Sequence, residues 1–318
     1  MSWMRLPVAA VCVLAAATCA QAGKPAPAAK PAAKTPAPAA TAPAADVVAT
    51  VGTAKITREQ VEAPLKNAPP DFPPEQLAQV RQRVLDDMIV AELMHAYVVA
   101  QKVPCDPNEL AALKGKLASI AAERKMTPAD LMKAAGLSED RLRDQVRLKH
   151  LTEQVAGKEK VRAFVQAHPP CFNGTKVQAS HVLISCKPHA ATADQKAALA
   201  KINQVAADLR AGTTTFEKAA ELHSACPSGK KGGDLGEFAF DAMVPPFAMK
   251  AFAMKVGEVS GVVRTQFGFH LIKVTGRTDS KDPVGPKAED LAERALLAEL
   301  QNRVFDQALT TCPIVIPN

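Results

Sequence analysis

The sequence predicts an α+β protein: a mainly helical N-terminal module, a compact mixed domain and a closing C-terminal helix. Three observations predict it. Apolar residues recur at helical spacing over residues 75–102 and in shorter capped segments up to about residue 155. At residues 168–175 the pattern changes to short alternating runs punctuated by glycine and proline. Over residues 286–310 helical spacing returns.

The elements follow in order. Residues 47–51, Gly52 and then Lys55 and Ile56 read as a short hairpin, and Thr57 with Gln60 forms a capping box that starts a helix. Pro73 and Pro74 open a long helix whose Leu77, Val80, Val84, Leu85, Met88, Ile89, Leu93 and Tyr97 recur at helical spacing. Asp106-Pro107 starts another, Thr127-Pro128 a short one that stops at Gly136, and Ser138 a fourth. Residues 46–168 make up this helical module. In the mixed domain, residues 176–277, a strand is expected at 177–185, and Thr192 with Gln195 opens a helix that ends at Gly212. A helix at 216–223, a strand at 235–238, a short helix at 247–254 and a strand at 270–275 complete it. Residues 286–318 hold the closing helix, with a further strand at 313–316.

The first 45 residues belong to neither module. Residues 1–22 carry one charge, Arg5, a short apolar run, and the small-x-small site Ala20-Gln21-Ala22. This is the pattern of a cleaved secretory signal, too short to span a membrane. A lipidated Cys19 is the alternative, but Thr18 and Ala16 fit poorly before it. Residues 23–45 are almost wholly Ala, Pro, Lys and Thr, a semi-extended tether. The expected location is therefore across the inner membrane, in the periplasm or another extracytoplasmic space. Arg5, Lys24, Lys30 and Lys34 carry much of the chain's +7 net charge and leave about +3 on the folded body. Nucleic-acid binding usually shows a clustered basic face, so no nucleic-acid partner is expected.

Cys105, Cys171, Cys186, Cys226 and Cys312 remain once the signal is removed. An odd count in an oxidising compartment suggests pairs plus one free thiol. Cys226 is expected to be the free one, with Cys105–Cys312 and Cys171–Cys186 as pairs; five unpaired thiols are the alternative.

The richest stretch in chemistry is His223-Ser-Ala-Cys-Pro-Ser-Gly-Lys-Lys-Gly-Gly-Asp-Leu-Gly-Glu-Phe238, followed by Thr265-Gln-Phe-Gly-Phe-His270. It is no phosphate loop, because Gly229 to Gly233 lacks the Gly-Lys-Ser/Thr step that opens a helix. Nor is it a cysteine-protease site, because Cys226-Pro227 lies in a turn with no helix N-terminus to activate the thiol. No CxxC or HxxxH spacing calls for a metal.

Together with Ala179-Ser-His-Val-Leu-Ile184, Met243-Val-Pro-Pro-Phe247 and Val256-Gly-Glu-Val-Ser-Gly261, these motifs resemble the parvulin-type peptidyl-prolyl cis-trans isomerases over residues 176–277. The resemblance implies a small antiparallel sheet surrounded by helices, and catalysis of rotation about X-Pro bonds. No bond is broken in that reaction, so no cofactor is required. The helical module and the closing helix resemble, in layout, the SurA and PrsA class of extracytoplasmic folding factors.

By the family pattern Met243 and Phe247 wall the proline pocket, with Leu235, Phe238 and Phe267 beside them; for Leu235 the spacing favours ordinary core, and the resemblance does not overturn that. His181, His270 and Thr265 match the family's histidine network, which serves either chemistry or the scaffold behind the cysteine. Cys226 stands where the family has Cys or Asp, either as an electrostatic partner of the twisting carbonyl or as a small polar pocket residue. Parvulins that demand a phosphorylated residue carry an arginine-rich loop after the first strand. Residues 185–191 hold one lysine and no arginine, which implies no phospho-specificity and an apolar residue before proline. The expected partners are unfolded polypeptides containing X-Pro bonds. The alternative function is a non-catalytic proline-peptide reader with holdase activity, and a homodimer through the helical module is a third possibility.

Overall fold

A computed structural model describes residues 46–67 and 73–317. The signal peptide with Cys19, and the tether, lie outside the described residues. Val47–Val51 (β1) and Ala54–Thr57 (β2) form the antiparallel hairpin around Gly52. The capping box of Arg58–Glu62 (α1) is closed in both directions: Thr57 N–H donates to Gln60 Oε1 at 2.8 Å and Gln60 N–H to Thr57 Oγ1 at 3.3 Å. The long helix is Pro74–Ala100 (α2), followed by Pro107–Glu123 (α3), Pro128–Ala134 (α4) and Glu139–Ala156 (α5). Asp106, Thr127 and Ser138 cap the last three through their side-chain oxygens. Extended backbone at Gly157 then separates Lys158–Ala167 (α6), a helix with no side-chain cap and hence no start signal.

The mixed domain is built on a four-stranded antiparallel sheet of Lys176–Ser185 (β3), Asp234–Ala239 (β4), Val263–Thr265 (β5) and Gly268–Thr278 (β6), in the order β4-β3-β6-β5. The short β5 was not expected. Strand side chains alternate between faces. Val182, Ile184, Phe269 and Leu271 pack under Thr192–Ala211 (α7) and Phe216–His223 (α8). Val177, Ala179, Ile272 and Val274 pack under Pro245–Ala253 (α9). His181 and His270 fall on this second face.

The closing helix, Ala288–Thr311 (α10), serves two cores. Ala288, Ala292 and Ala295 join α9 and Val161 of α6 in the sheet's second core. Leu300, Val304, Phe305 and Ala308 join Ile89, Leu93 and Val98 of α2 in the core of the helical module. Ile314–Val315 (β7) then pairs antiparallel with β1, so the two ends of the described chain share a sheet.

The helix at Thr192 starts where expected, but not by the expected device. Its N-cap is Ala191, without a side-chain hydrogen bond. Thr192 Oγ1 instead accepts Ile314 N–H at 2.8 Å, and Gln195 Oε1 accepts from Arg264 Nη1 at 3.1 Å. Both side chains are buried, and tertiary partners took the groups a capping box would have used. The cysteine pairings are also corrected: all five cysteines are free thiols. Cys171 and Cys186 stand at opposite ends of the ten-residue β3, roughly 30 Å of extended chain apart. Cys312 is packed into the helical-module core, where Cys105 takes no part.

Candidate active site

The glycine-rich loop is stitched to β3 at both of its ends. At one end, Ser224 Oγ accepts the N–H groups of Leu183 (3.1 Å) and Cys226 (3.4 Å), while Ala225 N–H donates to the Leu183 carbonyl (2.7 Å). At the other, His181 N–H donates to the Gly233 carbonyl at 2.9 Å. Between these anchors Pro227–Lys231 makes a 3-10 turn that holds Ser228 Oγ within hydrogen-bond reach of His181 Nε2. The turn needs glycine at 233: φ is +83°, and a Cβ there would lie 2.3 Å from the His181 carbonyl oxygen.

The pairing of β3 with β6 sets Leu183 opposite His270 and His181 opposite Ile272, so the two histidines are diagonal neighbours on one face. Their rings stack with centroids 5.4 Å apart, and His181 Nδ1 lies 3.2 Å from His270 Nδ1. His181 Nε2 reaches Ser228 Oγ at 3.2 Å, and His270 Nε2 reaches Thr265 Oγ1 at 2.8 Å. The four side chains form one relay. Burial pushes the His181 imidazole down to about 4. Burial, aided by the neighbouring His181, pushes His270 down to about 3. Both rings are therefore neutral at physiological pH, and each has one N–H to give.

The direction of the relay follows from its buried end. Thr265 Oγ1 already accepts Phe267 N–H at 3.1 Å, and the residue is 1% exposed. Its own O–H must find an acceptor, which His270 Nε2 provides. His270 Nδ1–H then donates to His181 Nδ1, and His181 Nε2–H donates to Ser228 Oγ. The Ser228 hydroxyl hydrogen is left free to point out of the relay.

The apolar residues divide. Phe247 stands edge-on to both histidines, 5.7 Å from the His181 centroid and 5.5 Å from that of His270. Phe238 lies 6.1 Å behind Phe247, and Met243 and Leu235 pack half-buried against the same cluster. Phe267 does not join them: its backbone is fixed by Thr265 and by Cys186 N–H at 3.1 Å, while 51% of the residue is exposed. Cys226 is half-buried, and its Sγ makes no hydrogen bond to the relay among the described residues. The hydroxyl that touches His181 belongs to Ser228, two residues on. Ser224 and Ser228 were not singled out from the sequence; their signal was a pair of small hydroxyl residues flanking Cys226 inside an already suspect motif.

Residues 181–276 match the family profile described as rotamase, PPIC-type PPIASE domain. The chain is 36% identical over 116 residues to "Peptidyl-prolyl cis-trans isomerase Pin1" of Malus domestica, a match covering 32% of this chain and 96% of that protein. It is 36% identical over 138 residues to "Chaperone SurA" of Salmonella typhimurium, covering 43% of this chain and 30% of that protein. A longer match, 26% identical over 282 residues, aligns 81% of this chain with 58% of "Chaperone SurA" of Xylella fastidiosa. The chain thus spans little more than half the length of even that longer SurA match.

Proposed function

The chain belongs to the PPIC-type, or parvulin, peptidyl-prolyl cis-trans isomerases, and on that premise we propose that it is an extracytoplasmic folding factor whose helical module holds unfolded chains while the mixed domain turns their X-Pro bonds. The barrier to that rotation is roughly 18–20 kcal/mol and comes from amide resonance. Each tenfold acceleration asks for about 1.4 kcal/mol of preferential binding of the twisted amide.

The observation that carries the site assignment is the buried, neutral relay Thr265–His270–His181–Ser228 behind the Phe247 ring. Phe247, Met243 and Phe238 grip the proline ring and keep water from the amide, with Leu235 in support. The histidines act as scaffold: 6% and 3% exposed, they touch no substrate and fix the Ser228 turn. Cys226 faces the carbonyl as a local electrostatic partner, with no covalent adduct, because the reaction has no leaving group. Phe267 is a rim residue. The loop after β3 offers a single cation, Lys187, which lies 3.5 Å from Asp86 of α2, so the preferred residue before proline is apolar.

The leader pattern and the SurA matches support secretion and the chaperone role. No helix among the described residues is long and apolar enough to cross a membrane. A protease-coupled proline-peptide assay on the protein lacking residues 1–22 tests the proposal. Wild type should accelerate isomerisation, and Met243→Ala or Phe247→Ala should lower kcat/KM about tenfold or more. Wild-type activity no greater than buffer, with suppression of client aggregation intact, would leave the holdase alone.

A further inference from the structure

Strand β5 is three residues long and lies at the edge of its sheet, yet it carries Thr265, the buried end of the relay. A strand so short is weakly held by its own ladder. What holds it is helix α10. Asn302 Nδ2 donates to the Arg264 carbonyl at 3.0 Å, and Arg264 Nε donates to Asp306 Oδ1 at 2.7 Å. Asn302 and Asp306 are one turn apart and share a face of the helix. The Arg264 guanidinium is fixed on two further sides, by Gln195 Oε1 of α7 at 3.1 Å and by the Phe269 ring, whose centroid lies 4.6 Å away.

Arg264 is a costly residue to keep there. It is 8% exposed, and its Nη2 has no hydrogen-bond partner among the described residues. A buried guanidinium with an unsatisfied nitrogen is a poor stabiliser. Its yield is geometric: it fixes the backbone next to Thr265 from three directions. The same stretch of α10 sends Leu300, Val304, Phe305 and Ala308 into the core shared with α2, so the clamp is anchored in the helical module.

We propose that Arg264, gripped by Asn302 and Asp306, is a positioning residue for isomerisation, through which the helical module sets the placement of Thr265 and the relay behind the active site. The proposal rests on the reading that the relay serves catalysis, and the variants separate the two. In the full chain, at a temperature well below each variant's unfolding midpoint, Asp306→Ala and Arg264→Lys should each lower kcat about three- to tenfold with KM unchanged. Asp306→Glu should restore most of the loss. In a Thr265→Val background, Asp306→Ala should cost nothing further, because its effect passes through Thr265. Wild-type kcat in folded Asp306→Ala, or the same fractional loss in both backgrounds, would overturn the clamp and leave the relay standing. Wild-type kcat in Thr265→Val alone would sink the relay and the clamp together. If Asp306→Ala fails to fold, Asn302→Ala is read by the same criteria.

Discussion

The helical module and the mixed domain are held by different kinds of interaction. Of the eleven buried polar or charged residues among the described ones, ten lie between Thr175 and His270, and Asp144 is the one in the helical module. Many of that module's ion pairs are exposed, such as Lys114–Glu139 at 2.8 Å and Lys149–Glu109 at 2.7 Å, and solvent screening leaves such pairs little weight in stability. Its stability comes from side-chain caps and from apolar faces that add up turn by turn. The mixed domain instead commits buried polar groups to particular neighbours, as in the Thr265–His270–His181–Ser228 relay and the Arg264–Gln195 contact. A region of the first kind tolerates single changes, whereas one of the second kind is sensitive to shifts of a few tenths of an ångström.

Glycine-to-alanine substitutions give the sharpest contrast. Gly233→Ala would set a Cβ 2.3 Å from the His181 carbonyl oxygen and 3.1 Å from Ala220 Cβ, at a φ of +83°. Neither the strand nor the loop can yield without moving Ser228, so we expect a loss of about 3 kcal/mol or more and isomerase activity near background. Gly115, in the middle of α3, has nothing within 4 Å of its would-be Cβ. Gly115→Ala should stabilise by about 0.5–1 kcal/mol with unchanged activity. Chemical denaturation of the two variants checks both, and equal effects would erase the distinction.

The relay should also show in acid. His181 and His270 stay neutral in the folded protein down to about 4 and about 3, against an ordinary value of 6.5 in the unfolded chain. The unfolded state therefore binds more protons below pH 6.5. The stabilisation is complete above that pH and is lost as pH falls toward the two folded values. Carboxylates held low by partners, such as Glu217 beside Lys273 and Glu237 beside Thr278, lose their contribution only further down. The window from about pH 6.5 to about pH 4.5 thus reports mainly on buried histidine. Unfolding midpoints across it should fall for wild type and much less for a His181→Gln/His270→Gln double variant. Parallel curves would mean that the rings are not held neutral.

What was legible in the sequence follows the same division. Thr57, Asp106, Thr127 and Ser138 act within a turn of themselves, and the sequence places each helix start they cap. Thr192 and Gln195 carry the same local signature, but their side chains went to Ile314 and Arg264, partners 122 and 69 residues away. Strand β5 is too short for any periodicity to register, and α6 has no cap to announce it. At the site, alternation along each strand assigns His181 and His270 a face, and the family resemblance supplies their pairing across 89 residues. Ser228 could not be found that way. A serine in a turn is unremarkable until both ends of its loop are stitched to β3.

The smallest effect is expected at another contact between the two regions, at Asp86 of α2. Its carboxylate lies 3.0 Å from His189 Nε2 and 3.5 Å from Lys187 Nζ, in the loop that follows β3. Gln82 donates to it from one turn earlier on α2. Although burial opposes the charge, these partners hold the carboxyl below its usual range. Lys187 is 63% exposed along its side chain and contributes little, whereas His189 is 9% exposed and carries the contact. Asp86→Asn keeps the shape and the hydrogen bond to Gln82 while removing the charge, so it should cost no more than about 1 kcal/mol. Amide hydrogen exchange should then quicken in the middle of α2 and over residues 186–191, and stay unchanged at His181 and His270. If the relay amides quickened as well, the catalytic geometry would depend on this contact too, and the tolerant and intolerant regions would have to be treated as one.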